Sequence, residues 1–220
     1  MPSFIDNLPI KPMSFQAIEQ EALFFLCDYQ PNTLNHIQPT NMIQILEHDM
    51  YDYCGVKLEL VDDLPIGIEA QTVFQTKRIQ ITELCYEKLC ADSPRDRFTT
   101  AHETGHCILH LPEISNIQLL AARGSSHKIR PFEEPERQAN YFAAALLMPL
   151  PTLCETYRQL SVAGYLQDDI FAFLAKNFKV SLQAVKIRVN ILSKNKGVYG
   201  LISKLGIKQP FVYCRTQRAV

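Results

Sequence analysis

Residues 97–110 read Arg97-Phe-Thr-Thr-Ala-His102-Glu-Thr-Gly-His106-Cys-Ile-Leu-His110. The pentapeptide His102-Glu103-Thr104-Gly105-His106 inside this stretch governs how the rest of the chain is read. On a helix, His102 and His106 stand four residues apart on one face, so two imidazoles can grip one zinc ion. Glu103 leaves an adjoining part of the same turn and is placed as a general base for water polarised by that ion. Ser93 and Pro94 supply an N-cap and a first-turn proline for a helix over about residues 94–110, and Pro112 is expected to close it.

A hydrolytic zinc site takes three protein ligands and leaves one position for water. No His-x-x-Gly-x-x-His extension follows the pentapeptide. His110 shares a face with His106, but a straight helix holds it about 12 Å along the axis from His102. It is therefore expected as a packed or hydrogen-bonded partner of the site. The third ligand is sought on a separate helix, in Glu136-Arg-Gln-Ala-Asn140-Tyr-Phe-Ala143-Ala144-Ala-Leu-Leu147-Met-Pro149. Glu136, Asn140, Ala143 and Leu147 fall on one helical face. The small Ala143 and Ala144 would allow close approach to the motif helix. Asn140, one turn after Glu136, is placed to hold a ligand imidazole from behind. Glu133 and Glu134 compete with Glu136 but precede Pro135 and lack the Asn and Ala spacing.

Together these two blocks resemble the ImmA/IrrE family of zinc metallopeptidases. Its pattern is R-F-T-x-A-H-E-x-G-H-x-x-x-H followed by E-x-x-A-N-x-F-A-x-x-L-L-M-P. The resemblance covers roughly residues 40–150. It implies a gluzincin-like centre with His102, His106 and Glu136 as metal ligands and Glu103 as catalytic base. It also implies a protein substrate, a helix-turn-helix transcriptional repressor whose cleavage induces its genes. Zinc is the expected metal, although such an N/O ligand set also accepts manganese, iron or cobalt.

The remaining sequence fits a host for such a site. Hydrophobic residues form 47% of the 220 positions and charged residues 20%, enough apolar material for a core. The net charge of −1 offers no global field for nucleic acid or an anionic membrane. Seven scattered cysteines without a C-x-x-C pair read as free thiols in a reducing compartment. Neither a signal-peptide pattern nor an apolar run of membrane-spanning length is present, so a cytoplasmic location is expected.

Apolar spacing predicts a helix from Ser14 to about Tyr29, ended by Pro31, and a second over about 41–53 with Thr40 as N-cap and Gly55 as stop. Strand-like alternation follows at Val56–Val61, Gly67–Phe74 and Lys77–Ile81, with a turn near Gln75–Thr76. A linker-like stretch then leads to Ser93. A short helix over about 113–122, a loop over Arg123–Pro135, and helices near 135–147, 150–159, 168–177 and 181–193 complete the reading. A weak strand signal lies at 211–214.

The expected fold is α+β: a mainly helical, zincin-like peptidase domain with a small antiparallel β-sheet and a C-terminal helical, helix-turn-helix-like extension. The expected units are 1–38 (N-terminal helical lead-in), 39–160 (metallopeptidase) and 161–220 (extension). Lys186, Arg188, Lys194 and Lys196 give the segment 168–196 a weak basic footprint for DNA, and a docking surface for a protein substrate fits it better. A rival reading makes the chain a zinc-stabilised regulatory module, without proteolysis, that binds DNA or a regulator through these helices. Tyr141, His127, Arg123 and His110 are the candidates for stabilising the oxyanion.

Overall fold

A computed structural model of the chain describes residues 10–120 and 135–195, together with 197, 198, 201 and 206. Arg123, His127, Glu133, Glu134, Lys196 and the strand signal at 211–214 lie outside the described residues.

Helix α1 (Phe15–Tyr29) starts where Ser14 Oγ accepts the Ala17 N–H, and it buries Ile18, Ala22, Phe25 and Leu26 along one stripe. A single turn, α2 (Asn32–Asn35), follows Pro31. Thr40 is not the cap of the next helix, because its hydroxyl donates to the Leu146 carbonyl at 2.7 Å. Asn41 caps instead, its Oδ1 accepting the Gln44 N–H at 3.1 Å. Helix α3 (Met42–Gln44) continues through a π-helical segment, Ile45–Asp49, into α4 (Met50–Cys54). Gly55 ends this run at φ 74°, a left-handed conformation that costs glycine nothing.

Three short strands follow: β1 (Lys57–Val61), β2 (Ala70–Val73) and β3 (Arg78–Thr82). Their order is β1-β3-β2, so β3 is central. The tight β2–β3 connection makes that pair antiparallel, with Ala70 opposite Ile81. β3 then pairs along its other edge with β1 in parallel, Lys57 opposite Arg78. The α+β class is as expected, with a mixed sheet in place of a wholly antiparallel one. Ile79 and Ile81 face the core with period two, and β2 is left at the outer edge.

The stretch read as a linker contains a helix, α5 (Glu83–Cys90), capped by Thr82 Oγ1 on the Cys85 N–H. Helix α6 (Pro94–Leu120) runs straight through Pro112. The expected stop there, and the separate helix after it, are thus replaced by one long helix. A helix-interior proline forfeits one hydrogen bond and costs about 3 kcal/mol. Ile108, Leu109, Leu111 and Ile114 are all buried on either side of it, and that burial holds the helix together. Four more helices complete the described residues: α7 (Pro135–Leu147), α8 (Leu150–Val162), α9 (Gln167–Phe178) and α10 (Leu182–Lys194). Lys179, at φ 53°, closes α9, and Ser181 Oγ caps α10.

Two long-range devices fix the helices that matter for the site. Arg97 on α6 donates to Thr40 O at 2.9 Å and to Lys179 O at 3.2 Å, tying the start of α6 to both flanking turns. Arg188 on α10 lies fully inside and meets Glu19 of α1 through two hydrogen bonds of 2.6 and 2.8 Å. Tyr141 of α7 donates to the same carboxylate at 2.9 Å. Arg188 is therefore part of the core and is unavailable to DNA. Lys186 lies 3.5 Å from Asp168, an exposed pair.

α6 and α7 pack tightly at Gly105. A Cβ at position 105 would stand 3.2 Å from the Ala139 backbone and 3.1 Å from the Phe142 ring. Gly105→Ala should therefore destabilise the fold although alanine favours helix by about 1 kcal/mol. We expect a net loss of roughly 1–2 kcal/mol in urea denaturation. A neutral or stabilised variant would mean that the two helices do not pack this tightly.

Six cysteines are described and all are free; Cys27 and Cys90 are exposed, and Cys85, Cys107 and Cys154 are buried. Among the described residues no helix is long and apolar enough to cross a membrane.

Candidate metal centre

The pentapeptide lies near the middle of α6, and Glu136 occupies the first turn of α7 alongside it. His102 Nε2 and His106 Nε2 are 2.9 Å apart. Glu136 Oε2 lies 3.2 Å from the first, and Oε1 lies 3.4 Å from the second. One ligand atom from each residue thus falls within 4.8 Å of the other two. Zinc bonds near 2.0–2.1 Å in a tetrahedron would set ligand atoms about 3.3 Å apart. The donor set and its spacing fit a zinc ion, and the structure brings together all three residues that the sequence nominated.

The residues behind the cluster orient it. Asn140 Oδ1 lies 3.0 Å from His102 Nδ1. A carbonyl oxygen only accepts, so Nδ1 carries a proton, and in the neutral ring that a metal requires the Nε2 lone pair faces the cluster. His106 Nδ1 lies 3.1 Å from His110 Nδ1. Burial, with the adjacent His106 charge, drives the His110 pKa down to about 3 and keeps its ring neutral. In the tautomer a metal requires, His106 carries its proton on Nδ1, a neutral His110 accepts it, and Nε2 is left to face the cluster. His110 thus stands where the helical spacing put it, behind His106.

The electrostatics favour positive charge at the meeting point. Hydrogen bonds from His102 and His106 hold the Glu136 carboxyl well below the usual carboxylate range. At His102 burial opposes protonation, but the Glu136 hydrogen bond and the Glu103 and Glu136 charges outweigh it and raise the pKa. A site that stabilises a proton between two imidazoles and a carboxylate also stabilises a metal cation there.

Glu103 does not join the cluster. Its Oε2 accepts the Thr72 hydroxyl at 2.7 Å, and its backbone carbonyl accepts the same hydroxyl at 3.2 Å. Thr72 sits on β2, so the edge strand holds this carboxylate beside the metal position. Sequence spacing gave no sign of Thr72, which lies 31 residues upstream. The cleft, of about 430 Å³, runs between β2 and the α6–α7 pair, with Glu103, His102, His106 and Glu136 in its lining. Tyr141 is not at the cleft, because its hydroxyl is committed to the buried Glu19.

The pattern and geometry agree with a match of the IrrE N-terminal-like domain model, peptidase family M78, over residues 68–190. The chain belongs to this family. A solved structure of a Mycobacterium tuberculosis transcriptional regulator is similar to this IrrE-like chain with a TM-score of 0.55 and 18% identity. That likeness covers 81% of this chain and 57% of the regulator, so the chain spans little more than half of that protein's length. At this identity it bears on the fold alone. No curated protein matches the sequence.

Asn140→Ala in this IrrE-like centre removes the acceptor that fixes the His102 tautomer. We expect zinc affinity, read by chelator competition, to fall about 10- to 100-fold with the fold unchanged. An unchanged affinity would remove Asn140 from the site.

Proposed function

We propose that the chain is a zinc-dependent endopeptidase that cleaves a helix-turn-helix transcriptional repressor in the cytoplasm and so induces the repressor's genes. The observation that carries this reading is the convergence of His102, His106 and Glu136, with Glu103 held beside them by β2. His102, His106 and Glu136 would hold the zinc. Bound there, zinc supplies Lewis acidity and brings the pKa of water toward neutrality. Glu103 takes a proton from the attacking water and delivers it to the leaving amine. Thr72 fixes Oε2, which aims the carboxylate across the cleft. Asn140 and His110 keep the two imidazoles in the tautomers the metal needs.

β2 also suits a peptide substrate. It is an outer strand of the sheet and lines the cleft, and among the described residues no strand pairs with its far edge, so that edge can take an extended segment. The substrate class rests on the family resemblance. The units 39–160 as peptidase, with 1–38 and 161–220 as flanking helical parts, belong to the same proposal. We assign α9 and α10 to protein docking in preference to DNA, because Arg188 is buried and Lys186 faces Asp168.

The test is a digest. Zinc-loaded protein is incubated with the helix-turn-helix regulator encoded nearest its own gene and read by intact mass. Two discrete fragments support the reading. A stable complex containing intact regulator would favour the non-proteolytic module.

A further inference from the structure

α7 carries two working faces. Glu136 serves the metal centre, Arg137, Tyr141 and Ala144 line a second cavity of about 800 Å³, and Asn140, behind His102, also borders that cavity. Phe98 on α6, one turn before His102, forms another wall, and Ala184 and Ile187 of α10 close the far side. This volume falls in the range of small-molecule sites, and its walls are mainly aromatic and aliphatic.

The charged groups on this lining have one sign. Arg95, Arg137 and Arg188 contribute to it, and no aspartate or glutamate does among the described residues. Arg188 is neutralised from behind by Glu19, and its Nε–H finds no acceptor among the described residues. Arg95 shares Glu69 at 3.4 Å on an exposed surface, where such a pair is weak. Arg137 is exposed and has no ion pair among the described residues. An apolar chamber whose uncompensated charge is cationic is complementary to a ligand with an apolar body and an anionic end.

We propose that this cavity binds a small organic anion of the long-chain carboxylate type. The chain lies against Phe98, Ala144, Ala184 and Ile187, and the carboxylate takes its hydrogen bonds from Arg137 at the mouth. The site is distinct from the metal cleft, and Asn140, which stands behind His102, lies on the wall between them.

The probe is dodecanoate, kept below its micellar concentration and titrated calorimetrically into the full chain. Saturable binding with one site per chain is expected. Ala184→Trp, which fills the chamber, and Arg137→Glu, which reverses the exposed charge, should each weaken it at least tenfold. Arg137→Glu is a surface change, so it stays informative if Ala184→Trp does not fold. Absence of saturable binding, or equal affinity in folded Arg137→Glu, overturns the proposal. So does saturable capture of an acidic amphipathic peptide by a chain that ignores dodecanoate. Peptide cleavage enters none of these readouts, so this proposal and the peptidase reading fail separately.

Discussion

Glu103→Gln keeps its zinc and its fold but loses peptide hydrolysis by roughly a hundred- to ten-thousand-fold in kcat. The reason lies in what glutamine preserves. Its amide oxygen can accept the Thr72 hydroxyl as the carboxylate does at 2.7 Å, so β2 and α6 stay docked. Glu103 contributes no atom to the His102–His106–Glu136 cluster, so metal binding is untouched. What disappears is the ability to accept a proton from water. Steady-state kinetics, metal content and thermal melting on one preparation separate these effects. Cleavage within a few-fold of wild type would remove Glu103 from the chemistry.

Replacing Arg188 with leucine has the largest expected effect on stability. The change strands the Glu19 carboxylate in the interior with only the Tyr141 hydroxyl for company. Breaking a buried pair from one side costs about 3–5 kcal/mol. For a chain of this size that lowers Tm by roughly 6–20 °C. Adding Glu19→Leu should recover much of the loss, because the penalty comes from the unpaired charge and little of it from the pair itself. Calorimetry on both variants decides. A single variant that melts within 2 °C of wild type would contradict the geometry of this bridge.

The legible parts of the chain were those whose signals are local. The helices expected from Ser14 and from 181 begin within one residue of those positions, each serine serving as the cap, and Pro135 opens α7 as a first-turn proline should. The His102–His106–Glu136 cluster is legible because a helix converts a spacing of four into a shared face, and because Glu136 and Asn140 repeat that spacing on a second helix. The misread elements were settled by distant partners. Thr40 resembles an N-cap, but it spends its hydroxyl on Leu146, over 100 residues away. Pro112 would end an isolated helix, yet buried neighbours hold α6 together across it. α5 hides in a polar stretch because only Cys85 and Leu89 are buried in it.

Arg188 is the clearest case. In the sequence it is one basic residue among several on a helix that resembles a DNA reader. Its counterion lies 169 positions earlier, on α1. No spacing rule connects those two residues, and their pairing turns a surface charge into a core one. Thr72 carries no local signal for the same reason, since its contact with Glu103 depends on β2 lying against α6.

The central claim is that His102, His106 and Glu136 form one metal site. Metal analysis of the purified chain after zinc loading and desalting tests it most directly, with Glu136→Ala run in parallel. One zinc per chain is expected in the wild type and a large loss in the variant, with both proteins folded. A folded wild type that retains no zinc, or a variant that retains it as tightly, would mean that these three residues do not form the site.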